Sequence, residues 1–145
     1  MLDRTTGATG QFVVTVTPDD EPFQDYALID FGASRSIPIM KGMPITGVTL
    51  PDNRNSICHT GISTGVACGQ LAGGMLINQY LTTGMVRSIP GDSGGPVWQL
   101  NADGASVTIV GIWLGEHNND SGGHNGRFYP LTHAIADLAV AEVPD

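Results

Sequence analysis

The sequence predicts an all-β fold. The chain has 145 residues, which is long enough for one ordinary domain with a hydrophobic core. Charged residues make up only 14%, whereas 20 glycines and 9 prolines interrupt the chain at short intervals. Between them lie short runs rich in β-branched and other apolar residues, which is typical of many short strands joined by turns.

Two strands are predicted near the amino end. Residues 11–17 (Gln-Phe-Val-Val-Thr-Val-Thr) favour a strand, and an acidic, proline-containing loop at 18–22 ends it. A second strand follows over 25–31, where Asp25 stands at the start of an apolar run. Three prolines among Ile and Val residues at 36–55 indicate a crossing between two β-units and then an edge strand. We therefore divide the chain into residues 1–40 and 41–145.

Strands, turns and one helix are predicted in the rest of the chain. Strands are expected over 75–86, 97–100 and 107–113, and an Asp-Gly turn within 101–104 joins the last two. Residues 116–126 are polar and glycine-rich, which favours a loop. Thr132 can cap a short helix over 133–140, whose apolar spacing suits packing on the sheet.

The two cysteines, Cys58 and Cys68, leave two interpretations open. Nine residues separate them, so a disulfide between them can close a hairpin and would indicate an oxidising compartment outside the cytoplasm. Alternatively they are two buried free thiols of a cytosolic protein. The first four residues carry no apolar run that would mark a signal peptide, and no stretch is long enough to span a bilayer.

The charge balance disfavours polyanionic partners. The formal net charge is −8, so nucleic acid and anionic membranes are not expected to bind. The six basic residues are scattered without forming a cluster: Arg4, Arg35, Lys41, Arg54, Arg87 and Arg127.

Residues 91–97, Gly-Asp-Ser-Gly-Gly-Pro-Val, are the strongest functional motif of the chain. A serine attacks a carbonyl usefully only if a base takes its proton and fixed donors receive the charge that develops on the oxygen. Gly91 and Gly94 lack a Cβ, so a tight turn here leaves the amides of Gly91 and Ser93 free to form an oxyanion hole. We read Ser93 as a nucleophile; the alternative is a glycine-rich turn whose serine bonds its own backbone.

This heptapeptide resembles the signature of the chymotrypsin-like serine proteases. The segment around the two cysteines is similar to a hairpin of the bacterial secreted branch, the streptogrisin and α-lytic protease relatives, and residues 25–31 resemble the segment that carries the triad aspartate. The resemblance implies a complete carboxy-terminal β-barrel, the last part of an amino-terminal barrel and a short terminal helix. It also implies a catalytic Asp25, a Cys58–Cys68 disulfide, a closing strand at 126–131 and a secreted bacterial protein.

The catalytic base is missing from this pattern. In the family the order is His, Asp, Ser, whereas all four histidines of this chain, His59, His117, His124 and His133, follow Asp25. We therefore expect a chain that begins downstream of the base, is inactive alone, and pairs its open half-barrel edge with a missing amino-terminal segment or a second copy. His117 and His124 read as solvated loop residues and His133 as a surface residue, because two histidines alone are a weak metal motif.

The resemblance also assigns a substrate pocket and a buried ion pair. Ser88, Ile89 and Pro90 should form one pocket wall, with Leu114, Gly115 and Glu116 opposite; the absence of an acid in the first wall argues against a preference for Lys or Arg. Ile89 and Leu114 favour an apolar residue, and Glu116 has no assigned role. Leu114 also replaces a serine that supports the aspartate in many relatives.

Asp92 is expected to be buried and to need a cation. Bacterial relatives place an arginine at the position of His59, so the resemblance predicts that His59 pairs with Asp92 and that the carboxylate raises the pKa of His59. A surface histidine is the alternative. The predicted function is hydrolysis of peptide or protein substrates by a serine endopeptidase without metal or cofactor, and the alternative is a catalytically dead relative that binds peptides or proteins.

Overall fold

The computed structural model describes residues 1–4, 6–17, 24–118 and 121–140. The strands and the helix within these residues are β1 Gln11–Val16, β2 Tyr26–Asp30, β3 Ile39–Met40, β4 Met43–Val48, β5 Ile57–Gly61, β6 Gly65–Leu76, β7 Gln79–Thr83, β8 Pro96–Leu100, β9 Val107–Asn118, β10 His124–Pro130 and α1 Leu131–Val140. The prediction of an all-β fold with one short carboxy-terminal helix is confirmed. The predicted acidic loop at 18–22 lies outside the described residues.

The strands form a hairpin and a closed barrel. β1 and β2 make a two-stranded antiparallel sheet, and the other eight strands form a second sheet in the order β10-β7-β6-β5-β8-β9-β4-β3. β10 also pairs with β9, which closes the strands from β5 to β10 into a barrel. β3 and β4 extend this sheet at one edge, where β4 runs parallel to β9. The two sheets thus separate between β2 and β3, and the division at residues 40 and 41 stays a prediction.

The barrel interior holds two large aromatic rings because glycines lie opposite them. Trp113 and Phe128 are fully buried in a cluster with Ile57, Val97 and Val110. A Cβ at Gly126 would collide with the indole ring of Trp113, and a Cβ at Gly111 would collide with the ring of Phe128. The glycines of β9 and β10 therefore provide the volume that the rings fill, as close packing of a protein interior requires.

The hairpin of β5 and β6 contains the Cys58–Cys68 disulfide, with an S–S distance of 2.02 Å. The two cysteines are directly opposite each other in the antiparallel register. On the chain-entropy account, closing a loop of this length stabilises the folded chain by roughly 2–3 kcal/mol. Ile57 and Ala67 of the same two strands lie in the cluster of Trp113, and Cys58 lies in a second buried cluster with Trp98 and Val107.

Three boundaries differ from the prediction. β9 and β10 continue through most of the predicted loop, with Asn118 opposite His124 and Glu116 opposite Gly126. Gly126 is thus required by packing against Trp113, whereas Gly122, with a φ of 81°, lies in the turn between the two strands. The predicted strand over 75–86 is two strands, because a turn at residues 77–78 separates the end of β6 from β7 and β7 ends at Thr83. The helix α1 begins at Leu131, before the predicted cap. No helix in the described part of the chain is long and apolar enough to cross a membrane.

Candidate active site

Ser93 lies in a tight, exposed turn that precedes β8. Gly91 and Gly94 have φ angles of 106° and 85°, which L-residues with a Cβ rarely adopt. The amide of Gly94 donates to the carbonyl of Trp113 (2.8 Å), and the amide of Trp113 donates to the carbonyl of Gly95 (2.9 Å). The turn is thereby fixed to β9, and within the described residues the amides of Gly91 and Ser93 donate no hydrogen bond.

Asp92 is buried beneath this turn and is held by hydrogen-bond donors. Its Oδ1 accepts the amides of Ser63 (3.0 Å) and Thr64 (2.9 Å), and its Oδ2 accepts the amide of Ile89 (3.2 Å) and the hydroxyl of Thr64. Burial raises the pKa of Asp92, but these hydrogen bonds together outweigh it and bring the pKa to about 2. The carboxylate therefore stays charged and connects the turn after β5 to the nucleophile turn.

The predicted pair between His59 and Asp92 is wrong. His59 is fully buried, and its ring stacks on the indole of Trp113 with the ring centroids 4.0 Å apart and the planes 9° from parallel. Neither ring nitrogen has a hydrogen-bond partner in the part of the chain that the structure describes. Burial lowers the pKa of His59, and the opposing effects of the Asp92 and Glu116 carboxylates do not outweigh it. The surface alternative is wrong as well, because the ring is a neutral part of the core.

The reason lies in the turn after β5. A buried carboxylate needs compensation, and oriented amide and hydroxyl donors supply it as well as a cation does. A Cβ at Gly61 would collide with the Asp92 carboxylate, so the glycine lets the turn approach closely enough to donate. The sequence signal for this arrangement was the Gly-Ile-Ser-Thr segment at 61–64, rather than His59.

Asp25 and Ser93 line one open cavity of about 520 Å³. Asp25 comes directly before β2, and Ile112 and Leu114 of β9 also line the cavity. All four histidines are within the described residues, and none of them lines this cavity. The structure thus brings the predicted nucleophile and the predicted aspartate to the same space, without an imidazole between them.

The helix α1 holds the strand that follows Asp25. The hydroxyl of Tyr26 donates to Oδ2 of Asp137 (2.7 Å), and the hydroxyl of Tyr129 donates to the same oxygen (3.3 Å). The two tyrosine rings stack with centroids 5.1 Å apart. Burial and the hydrogen bond to Asp137 raise the pKa of Tyr26. Sequence reasoning did not find this contact, because 111 residues separate Tyr26 from Asp137.

The residues of the two predicted pocket walls do not all lie together. Oε1 of Glu116 accepts hydrogen bonds from the amide (2.6 Å) and the hydroxyl (2.9 Å) of Ser88. Gly115 lies beside the nucleophile, since a Cβ there would be 3.9 Å from Oγ of Ser93. Leu114 lines the cavity of Asp25, and Ile89 and Pro90 are exposed.

The other histidines lie away from the nucleophile cavity. His117 and His124 lie on the paired strands β9 and β10, and Nε2 of His124 is 4.0 Å from Oε2 of Glu116. His133 is exposed on α1, as expected for a surface residue. Over the described ranges, no three His, Cys, Asp or Glu side chains form a group that would hold a metal ion.

Comparison with solved structures gives the same fold. Cellulomonas bogoriensis chymotrypsin matches 90% of this chain and 73% of its own (TM-score 0.63, 23% identity). Thermobifida fusca protease A matches 90% and 72% (0.66, 20%), and a glutamic acid specific serine protease that uses a histidine triad in substrate binding matches 90% and 71% (0.66, 19%). The resemblance to chymotrypsin-like serine proteases is thus confirmed at the level of the fold.

The two sequence relatives give no information about activity. Uncharacterized proteins from two strains of Mycobacterium tuberculosis are each 37% identical over 99 residues, which is 64% of this chain and 43% of theirs. The match thus spans less than half the length of these relatives. No protein-family model matches the sequence.

Proposed function

We propose that this chain is the nucleophile-bearing part of a serine endopeptidase. The observation that supports this most is that Ser93 and Asp25 line the same cavity of about 520 Å³. Ser93 is exposed in a turn whose glycine φ angles leave the amides of Gly91 and Ser93 available to an oxyanion. In this proposal Asp25 orients a histidine, and none of the four histidines of this chain lines the cavity.

The reaction follows from these roles. Oγ of Ser93 forms a bond to the carbonyl carbon of a peptide, while the base takes the hydroxyl proton and the amides of Gly91 and Ser93 stabilise the oxyanion. The base then gives the proton to the leaving amine, and water hydrolyses the acyl-enzyme. Without the base, the chain alone is expected to be almost inactive, with only the contribution of the oxyanion hole and binding, roughly 10³–10⁴-fold over water.

A catalytically dead relative that binds peptides or proteins is the second candidate. The observation that favours it is the position of the four histidines, none of which lines the cavity of Ser93 and Asp25. In that case the cleft would hold a peptide without cleaving it. The disulfide supports an oxidising, extracytoplasmic location under either function.

Labelling of Ser93 with a fluorophosphonate separates the two candidates. The chain alone should label slowly, and imidazole added at millimolar concentration should enter the cavity, act as the base and accelerate labelling by at least ~10-fold. Ser93→Ala should abolish labelling, and Asp25→Asn should abolish most of the acceleration. A second arm uses the chain extended by the coding sequence upstream of Met1, which should label rapidly if that sequence supplies the histidine.

The outcomes are distinct. Rapid labelling of the chain alone, without imidazole, would contradict the missing base. Failure of both imidazole and the extended chain to accelerate labelling would favour the binding protein over the enzyme. Acceleration that is unchanged in Asp25→Asn would remove Asp25 from the proposed mechanism.

A further inference from the structure

The predicted pocket beside Ser93 is occupied by side chains of the chain itself. Glu116 reaches from β9 to the segment before the nucleophile turn, where its Oε1 accepts the amide and hydroxyl of Ser88. The indole nitrogen of Trp113 also donates to Oγ of Ser88 (3.1 Å). The three residues thus form a hydrogen-bonded chain that joins the two sides of the pocket.

Trp113 fills the space below Ser88. Its side chain is 0% exposed, and the ring of His59 covers it with the centroids 4.0 Å apart. Near its other edge the ring lies so close to Gly126 that a Cβ there would collide with it. The indole therefore occupies the volume between β5 and β10, so that little depth remains for another side chain.

Glu116 is the outermost member of this group. Its side chain is 15% exposed, whereas Ser88 is 8% exposed and Trp113 is fully buried. Its Oε2 has no hydrogen-bond partner in the described part of the chain and lies 4.0 Å from Nε2 of His124. Because the amide and the hydroxyl of Ser88 both donate to Oε1, the carboxylate is held between the two predicted pocket walls.

We propose that Glu116 and Trp113 fill the primary substrate pocket, so that only a small side chain, glycine or alanine, fits before the bond to be cleaved. The inference rests on the proposed function, because it concerns the residue that Ser93 would attack. Glu116 is then the specificity-determining residue, since it closes the mouth of the space that Trp113 fills. Neither of the residues that suggested a larger apolar substrate residue belongs to the hydrogen-bonded chain of Ser88, Trp113 and Glu116. Ile89 is 54% exposed, and Leu114 lines the open cavity of Ser93 and Asp25, which Trp113 also borders.

Peptide boronic acids test the proposal, because boron forms a reversible bond to a serine oxygen. We compare two peptides that differ only in carrying alanine or phenylalanine at the boron-bearing position, by ¹¹B NMR titration of the folded chain with imidazole present. The alanine compound should bind at least ~10-fold more tightly, as expected when a pocket excludes a large group. Glu116→Ala should reduce this ratio, whereas Glu116→Gln should keep it because its amide oxygen still accepts from Ser88.

Equal or tighter binding of the phenylalanine compound to the unchanged chain would overturn the proposal, and so would an unchanged binding ratio in Glu116→Ala.

Hydrogen exchange of the Trp113 indole proton gives a second readout, which does not need Ser93 to react. The proton should be protected in the unchanged chain and in Glu116→Gln, and exchange faster in Glu116→Ala. Rapid exchange in the unchanged chain would contradict a filled pocket. If no boronate binds while the indole stays protected, the filled pocket stands and the proposed chemistry of Ser93 fails.

Discussion

Two titratable residues, Asp92 and His59, are buried near the nucleophile turn, and they have opposite charge states: Asp92 is charged and His59 is neutral. Asp92 is buried but accepts hydrogen bonds on both oxygens from Ser63, Thr64 and Ile89, so it keeps its charge. His59 is buried with no partner for its nitrogens among the described residues, so it stays neutral and acts as an aromatic ring against Trp113. Charge in this region therefore depends on the density of local donors and not on ion pairing.

His59 should make the chain less stable on the acid side. Because burial lowers its pKa in the folded state, the unfolded chain binds a proton more readily below about 6.5, the ordinary value for histidine. The free energy of unfolding should therefore be unaffected by His59 above about pH 6.5. It should fall as the pH drops below 6.5 towards the lowered pKa of His59 in the folded state. His59→Phe keeps the stacking and removes the unpaired nitrogens, so it should be neutral or stabilising by about 1 kcal/mol at pH 8.

The measurement is urea unfolding of His59→Phe and the unchanged chain between pH 8 and pH 5. The variant should lose less stability over this range, and the exposed His133→Gln serves as the control that should leave the profile unchanged. An unchanged pH profile in His59→Phe would show that folding does not lower the pKa of His59, and an NMR titration of His59 with a pKa above 6.5 would show that folding raises it. Either result would contradict a neutral buried ring.

At the scale of elements, α1 acts as a brace for the amino-terminal hairpin. Tyr26 begins β2 directly after Asp25, and its hydroxyl shares Oδ2 of Asp137 with Tyr129 of β10. Tyr26, Tyr129 and Ala134 form a separate buried cluster in which β2, β10 and α1 meet. The position of Asp25 relative to Ser93 therefore depends on a helix that contributes no residue to the cavity lining.

Asp137→Ala should loosen β2 without unfolding the barrel. Both tyrosine hydroxyls lose their charged acceptor, and we expect the local stability of residues 26–30 to fall by about 1 kcal/mol, since Asp137 is itself exposed. Hydrogen exchange of the β2 amides measures this effect. Asp137→Asn retains an acceptor oxygen and should have a smaller effect. Equal exchange of β2 in Asp137→Ala and the unchanged chain would show that ring packing alone holds the hairpin.

At the scale of the whole molecule, the sequence predicted what local patterns determine. The strands at 11–17, 97–100 and 107–113 and the terminal helix follow from strand propensity, turn residues and apolar spacing. The disulfide is implied by the resemblance, because the spacing of the two cysteines leaves free thiols open. Composition assigns residues 116–126 to a loop although β9 and β10 pair across most of this stretch, and the resemblance pairs His59 with a charge that nearby amides already balance. Such features depend on packing between distant segments, which no local pattern contains.

The two sheets should differ in stability. The barrel buries Ile57, Val97 and Trp113 completely, whereas in the β1–β2 hairpin Phe12 is 56% exposed, Val13 is 40% exposed and Tyr26 is the main anchor. A two-stranded sheet is only marginally stable by itself, so the hairpin should open locally while the barrel stays folded.

We expect the amides of β1 and β2 to exchange at least ~100-fold faster than those of β5 and β9, measured by native-state hydrogen exchange with mass spectrometry. With added urea, the exchange rates of the two sets of amides should converge, because both then exchange through global unfolding. Equal protection of both sheets without urea would show instead that hairpin and barrel form one cooperative unit, in which Asp25 is held as rigidly as Ser93.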